Sequence, residues 1–160
     1  MNQQPVASRP RMDDVPQDDE SGLMDWGEAE RKLAASRSYW ISTTRPDGRP
    51  HAMPVWGAWH DGALYFGTGA NTVKARNLSA NPAVVVHLES ADDMVVVEGT
   101  AERIAMAGAP GPVDAAYREK YGMGLLDAGG DAPLFVVRPR VAFAWLEADF
   151  LNTATRWEWR

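Results

Sequence analysis

The sequence predicts a mainly β domain. Six or seven antiparallel strands form a closed or nearly closed barrel, with short helices in the connections. Three observations carry this. From Ser38 the apolar period is two, starting with Tyr39-Trp40-Ile41-Ser42-Thr43-Thr44. Turn signals then recur at short intervals, at Pro46-Asp47-Gly48, His60-Asp61-Gly62 and Ala91-Asp92-Asp93. Finally, a long meander with few helices does not fit a parallel sheet.

Residues 1–22 are rich in Gln, Pro, Asp and Arg and read as a disordered or loosely draped tail. Residues 23–160 form the folded domain. Asp25, followed three residues later by Glu28, fits a helix N-cap with a reciprocal glutamate. That helix runs from Trp26 to about Ser36 and buries Trp26, Ala29, Leu33 and Ala34. A strand follows over Tyr39–Thr44, a second over Arg49–Trp59 and a third over Ala63–Thr68, as consecutive hairpins. Asn71 or Thr72 caps a short helix reaching about Leu78, which Asn81-Pro82 ends. Two more strands cover Ala83–Glu89 and Met94–Ile104. Residues 105–112 read as a loop, Val113–Tyr121 as a helix, and 122–131 as a Gly-rich loop and candidate mobile lid. Leu134–Leu146 is a strand, and Thr153–Trp159 a short closing one.

Bulk properties narrow the function. The chain has 160 residues, suited to one domain with a sizeable core, and a formal net charge of −6. Generic nucleic-acid binding needs a cationic surface and is not expected. Cysteine is absent, which excludes disulfides, thiolate catalysis and Cys-ligated metals. No apolar run approaches the roughly 20 residues of a spanning helix, and no signal peptide is evident, so a cytoplasmic location is expected. His51, His60 and His87 are scattered and do not make a metal site. No Gly-x-Ser-x-Gly elbow, Walker-type loop or Gly-x-Gly-x-x-Gly motif occurs.

Residues 50–82 carry the chemistry. In Pro54-Val55-Trp56-Gly57-Ala58, the proline suggests a strand edge, and Gly57 lets another group approach the backbone. A flat heterocycle could lie there against strand amides; the same pattern also fits a core strand with a bulge. Next comes Thr68-Gly69-Ala70-Asn71-Thr72-Val73-Lys74-Ala75-Arg76-Asn77, a Gly-containing loop leading into a helix. Free amides there favour an anion, and Thr68, Thr72, Lys74 and Arg76 add donors. Lys74 and Asn77 share a helix face, whereas Arg76 points nearly opposite Lys74. The stretch reads either as a phosphate cradle or as a solvated cationic helix. A small barrel fills its own interior, so a large ligand binds outside it, often at a subunit seam. The ending Thr153-Ala154-Thr155-Arg156-Trp157-Glu158-Trp159-Arg160 reads two ways. It packs such a seam, or Arg156 or Trp157 reaches a ligand there.

These residues resemble the pyridoxamine 5′-phosphate oxidase-like split β-barrel family over about residues 24–160. The elements that carry the likeness are Tyr39–Thr43, Pro46–Pro50, Pro54–Gly57, Tyr65–Thr68, Lys74-Ala75-Arg76-Asn77-Leu78, Asn81-Pro82 and Val97-Glu98-Gly99-Thr100-Ala101. The resemblance implies an FMN-binding split barrel, a homodimer and two cofactor sites between the subunits. It implies a flavin or deazaflavin whose ring Val55–Ala58 flank and whose phosphate Thr68 and Lys74 hold. Many FMN-binding members carry an arginine directly before the lysine, where this chain has Val73. The Arg-x-His ending of true pyridoxamine phosphate oxidases has no counterpart in Thr155-Arg156-Trp157. The resemblance therefore implies the branch that uses coenzyme F420, a deazaflavin, to reduce an unsaturated small molecule by hydride transfer. The alternatives it leaves are an FMN-dependent oxidoreductase and a non-catalytic flavin- or haem-binding protein.

Overall fold

The computed structural model describes residues 4–128 and 132–160, without the Ala128 side chain. In chain order it contains β1 (Val6–Ser8), α1 (Trp26–Ala35), β2 (Tyr39–Thr44), β3 (Pro50–Val55), β4 (Ala58–His60), β5 (Ala63–Gly67), α2 (Val73–Ala80), β6 (Ala83–His87), β7 (Asp93–Ile104), α3 (Gly111–Tyr121), β8 (Leu134–Leu146), α4 (Phe150–Thr153) and β9 (Thr155–Glu158). All pairings are antiparallel, in the order β1-β9-β8-β7-β6-β2-β3, with β5 joining β8 and β4 joining β5. The ladder ends at β3 and β1, so the barrel is split rather than closed.

Nine strands are present where six or seven were expected. One added strand arises because the expected Arg49–Trp59 strand breaks at Trp56-Gly57 into β3 and β4. The other is β1, inside the segment expected to be a tail. Its three residues pair with Arg156–Glu158 of β9. Arg9 follows, only 6% exposed, and donates to the carbonyls of Asp19, Ser21, Asn152 and Ala154 at 2.5–3.1 Å. Composition misses this because a single arginine supplies five donors, and four carbonyls brought together by the fold use them.

Each element follows from local chemistry. α1 buries Trp26, Ala29 and Leu33, an i, i+3, i+7 stripe. Asp25 sits at its N-cap, but its side chain makes no capping bond, and Glu28 pairs with Lys32 at 3.2 Å instead. β2 alternates buried and open residues along its length, with Tyr39, Ile41 and Thr43 facing inward. β5 does not alternate, because both its faces are covered. Leu64 and Phe66 join the main core with Ile41, Val86, Val97, Phe135 and Trp157. Ala63 and Tyr65 join a second cluster under α3, with Val113, Tyr117, Leu125 and Leu134. Asp61 and Gly62 both have positive φ, which suits the two-residue turn between β4 and β5. Four tryptophans gather at one end of the main core. Trp26 meets Trp59, Trp157 and Trp159 edge-on at 6.2, 5.4 and 4.8 Å. No helix among the described residues is long and apolar enough to cross a membrane.

Candidate functional site

The break between β3 and β4 organises the site. Pro54 lies exposed on β3, an edge strand, where its missing N–H costs no ladder bond. Val55 and Ala58 are buried, while Trp56 between them is 47% exposed. Broken out of the ladder, Trp56 and Gly57 need other backbone partners, and α3 supplies them. The Tyr117 hydroxyl donates to the Trp56 carbonyl at 3.0 Å. The Tyr121 hydroxyl accepts from the Gly57 N–H at 2.9 Å, and its own proton serves the carbonyl of Arg37 at 2.5 Å or of Gly57 at 3.0 Å. Lys120 Nζ donates to the Ser36 carbonyl at 2.7 Å and the Tyr39 hydroxyl at 3.0 Å.

Gly57 differs from the expectation. A Cβ there would lie 2.9 Å from Leu64 Cδ1, 3.1 Å from Tyr39 Cδ2 and 3.1 Å from the Tyr65 carbonyl. The group that approaches Gly57 is therefore the protein's own core, and its amide is already taken by Tyr121. Val55 and Ala58 are closed off in the same way. Of the expected ring platform, Trp56 and Pro54 alone present surface. The Trp56 ring stacks on Tyr121 with centroids 4.4 Å apart and planes 3° from parallel. The Arg37 guanidinium covers Tyr121 at 5.4 Å.

Burial lifts the Tyr39 and Tyr117 phenols well above the ordinary range. It raises Tyr121 as well, against a backbone bond from Gly57 and the Arg37 charge. All three stay neutral donors near pH 7. Burial also lowers Lys120, against the opposing charge of Glu119.

The helix start is the second part. Thr72 is the N-cap of α2: its Oγ1 accepts from the Ala75 N–H at 3.3 Å and donates to the Gly69 carbonyl at 2.9 Å. Thr68 Oγ1 lies 3.1 Å from it. The Thr72 proton is therefore spent on the loop, and this residue shapes the helix start rather than offering a free donor. By the geometry of any helix start, the Val73 and Lys74 amides have no intrahelical acceptor. Lys74 is half-buried, with no ion pair among the described residues. Arg76 turns away, donates to the Asn71 carbonyl at 2.9 Å, and lines a separate cleft with Arg45, Asp47 and Arg49. Asn77 is 2% exposed and donates to Thr43 Oγ1 at 2.9 Å, which fastens α2 to β2. Its place is in the fold, not against a ligand.

The fold joins the two parts. A cleft of about 320 Å³ brings Trp56 and Thr68 together with Met106, Tyr117, Met123 and Leu125. Met123–Leu125 come from the loop expected as a lid, of which residues 129–131 lie outside the described residues. Trp157 is 1% exposed in the main core, so the expectation that it reaches a seam or ligand is corrected. It packs on Trp26. Arg156 pairs with Glu158 at 3.1 Å on the opposite face of the sheet. Sequence reasoning missed Tyr117, whose i, i+4 spacing from Tyr121 on a helix was the available signal. It also missed His51, whose Nδ1 is sealed from solvent without a hydrogen-bond partner. Among the described residues no group of three or more His, Cys, Asp or Glu side chains could hold a metal ion.

Comparison with known proteins follows the same line. An F420 reductase of known structure is 30% identical, with 70% of this chain and 94% of that one covered at a TM-score of 0.55. A FAD-binding protein from Mesorhizobium loti is 20% identical over 85% of this chain and 96% of its own, at a TM-score of 0.57. A haem-binding protein from Mycobacterium smegmatis is 21% identical over 76% of this chain and 54% of its own, at a TM-score of 0.57. The last two likenesses show the fold alone. No curated protein matches the sequence at a significant level. The family model described as pyridoxamine 5′-phosphate oxidase matches residues 26–148, which take in α1, the whole barrel from β2 to β8, Trp56, Thr68 and Lys74. The chain belongs to the pyridoxamine 5′-phosphate oxidase family.

Proposed function

We propose that this protein is a deazaflavin-dependent reductase, binding coenzyme F420 and reducing an unsaturated, uncharged small molecule. One observation carries the reading: a single apolar cleft runs from the exposed Trp56 to Thr68, beside a helix start with an unpaired lysine. A flat ring with a phosphate tail needs both parts. The residues present fit such a group. Among the described residues Lys74 has no carboxylate to neutralise it, and the sealed Nδ1 of His51 nearby lacks a partner.

In this reading Lys74 and the Val73 and Lys74 amides hold the phosphate, with Thr68 beside them. Trp56 and Pro54 back the ring. Met106, Met123 and Leu125 exclude water and receive an apolar substrate face, and among the described residues the lining carries no charged side chain to bind an anionic one. When bound, the cofactor supplies hydride to an electrophilic carbon. Tyr117 and Tyr121, held neutral, position Trp56 through the backbone rather than act as bases. The F420 reductase likeness supports this cofactor over FMN, as does Val73 in the place of a second cation. The family resemblance further supports a homodimer with cofactor between the chains.

Titration of the purified chain with F420, FMN and haemin tests the reading. The expected result is micromolar F420 binding, weaker FMN binding, and about a tenfold loss in Lys74→Ala, the scale of one charge-assisted hydrogen bond. Reduced, bound cofactor should then reoxidise against a panel of enones. Tighter binding of FMN or haemin than of F420 would overturn the cofactor assignment, and an unchanged Lys74→Ala the phosphate assignment.

A further inference from the structure

We propose that His51 is a further anion-binding residue of this cradle, donating from β3 to the same phosphate that Lys74 grips from α2. The proposal rests on the phosphate-cradle reading above and adds a proton to it.

The geometry points this way in three steps. Buried polar atoms are almost always paired, and His51 Nδ1 is the exception among the buried side-chain nitrogens and oxygens of the described residues. Along β3, side chains alternate: His51, Met53 and Val55 take one face, Ala52 and Pro54 the other. The first set faces α2, because His51 pairs across the ladder with Thr43, and Thr43 is the residue that Asn77 of α2 holds. His51 thus lies between the β2–β3 turn and the start of α2.

Among the described residues the charges facing it are Arg45 from the turn and Lys74 from α2, with no carboxylate among them. A histidine kept for an ion pair would sit beside an acid. This one sits between two cations with an unused nitrogen, an arrangement that an anion completes. Burial, then Arg45 and Lys74, holds the imidazole below its ordinary range, so it is neutral at pH 7 in the free protein. A bound phosphate reverses the local field and favours imidazolium. Binding then takes up one proton from solvent onto the ring. By linkage, affinity rises as pH falls through the His51 range of the complex.

Imidazole NMR on the full-length chain tests this, with sulfate against chloride at equal ionic strength and then with F420. Neither sulfate nor the F420 phosphodiester titrates in the histidine range. Each anion should raise the His51 midpoint by about one pH unit, equal to a tenfold change in affinity. Lys74→Ala should raise the midpoint without any anion. F420 should bind about tenfold tighter at acid than at alkaline pH, and His51→Gln, which keeps a donor but cannot charge, should flatten that profile. A midpoint that moves with neither sulfate nor F420 defeats the proposal, and if F420 still binds, the cofactor reading survives it. A midpoint that moves with sulfate while F420 fails to bind leaves His51 an anion ligand and defeats the cofactor reading instead.

Discussion

Trp56 and Gly57 are neighbours with opposite duties. Trp56 is exposed and touches the body of the protein mainly through its stack on Tyr121. Such a stack is worth about 0.5–1.5 kcal/mol. Gly57 is buried, with Leu64, Tyr39 and the Tyr65 carbonyl crowding its open side. Adding a methyl group there forces side chains and backbone apart, at roughly 1–3 kcal/mol. Urea unfolding should therefore rank Gly57→Ala as the more destabilised variant. Cofactor titration should show the reverse, with Trp56→Ala losing affinity while remaining folded. If Trp56→Ala binds F420 as tightly as the parent, the ring does not rest on this residue. The pair also marks what could be read from residues 54–58. The proline and glycine announced an interruption in the strand. They could not announce that α3 would fill it, because Tyr117 and Tyr121 lie some sixty residues away in sequence.

At the scale of elements, local pattern was enough wherever one face of a segment is buried. The two-residue alternation of β2, the apolar stripe of α1 and the Thr72 cap of α2 all appear in the structure within a few residues of their expected places. Pattern fell short where burial comes from distant chain. β5 has a continuous buried run because α3 covers its second face. Trp157 resembled a surface anchor in sequence, but it is buried in the main core and packs edge-on against Trp26. β1 is only three residues long, and it is held by β9 and by the Arg9 guanidinium. That last arrangement makes a sharp prediction. Four carbonyls lose a charged donor in Arg9→Ala, and β9 loses the anchor of its outer neighbour. The cost should be on the order of 3 kcal/mol in urea unfolding, with new protease cleavage between residues 9 and 21. A variant as stable and as resistant as the parent would show β1 to be dispensable.

For the whole molecule the question is what covers the outer face of the sheet. Two of the helices lie elsewhere: α2 is fastened to the inner face through Thr43, and α1 to the core through Leu33. On the outer side, alternation along β2, β6, β7 and β8 brings Trp40, Val85, Val96, Val141 and Phe143 into one half-exposed apolar field. A trough of about 470 Å³ meets it at Val85 and Val141, with Glu98 and Arg140 both exposed along its lining. A two-fold partner suits such a surface, because each copy offers an acid and a base to the other across an apolar centre. Stable interfaces take about 800 Å² from each partner. Sedimentation at micromolar concentration should therefore give twice the chain mass. Val96→Asp places a charge at the centre of the field without touching the inner core, and should give single chains with unchanged far-ultraviolet circular dichroism. If the cofactor lies between subunits, the same variant should lose F420 affinity while Lys74 and His51 remain intact. Retained affinity in a proven monomer would place the whole site within one chain, between α2, β3 and the cleft beside Trp56.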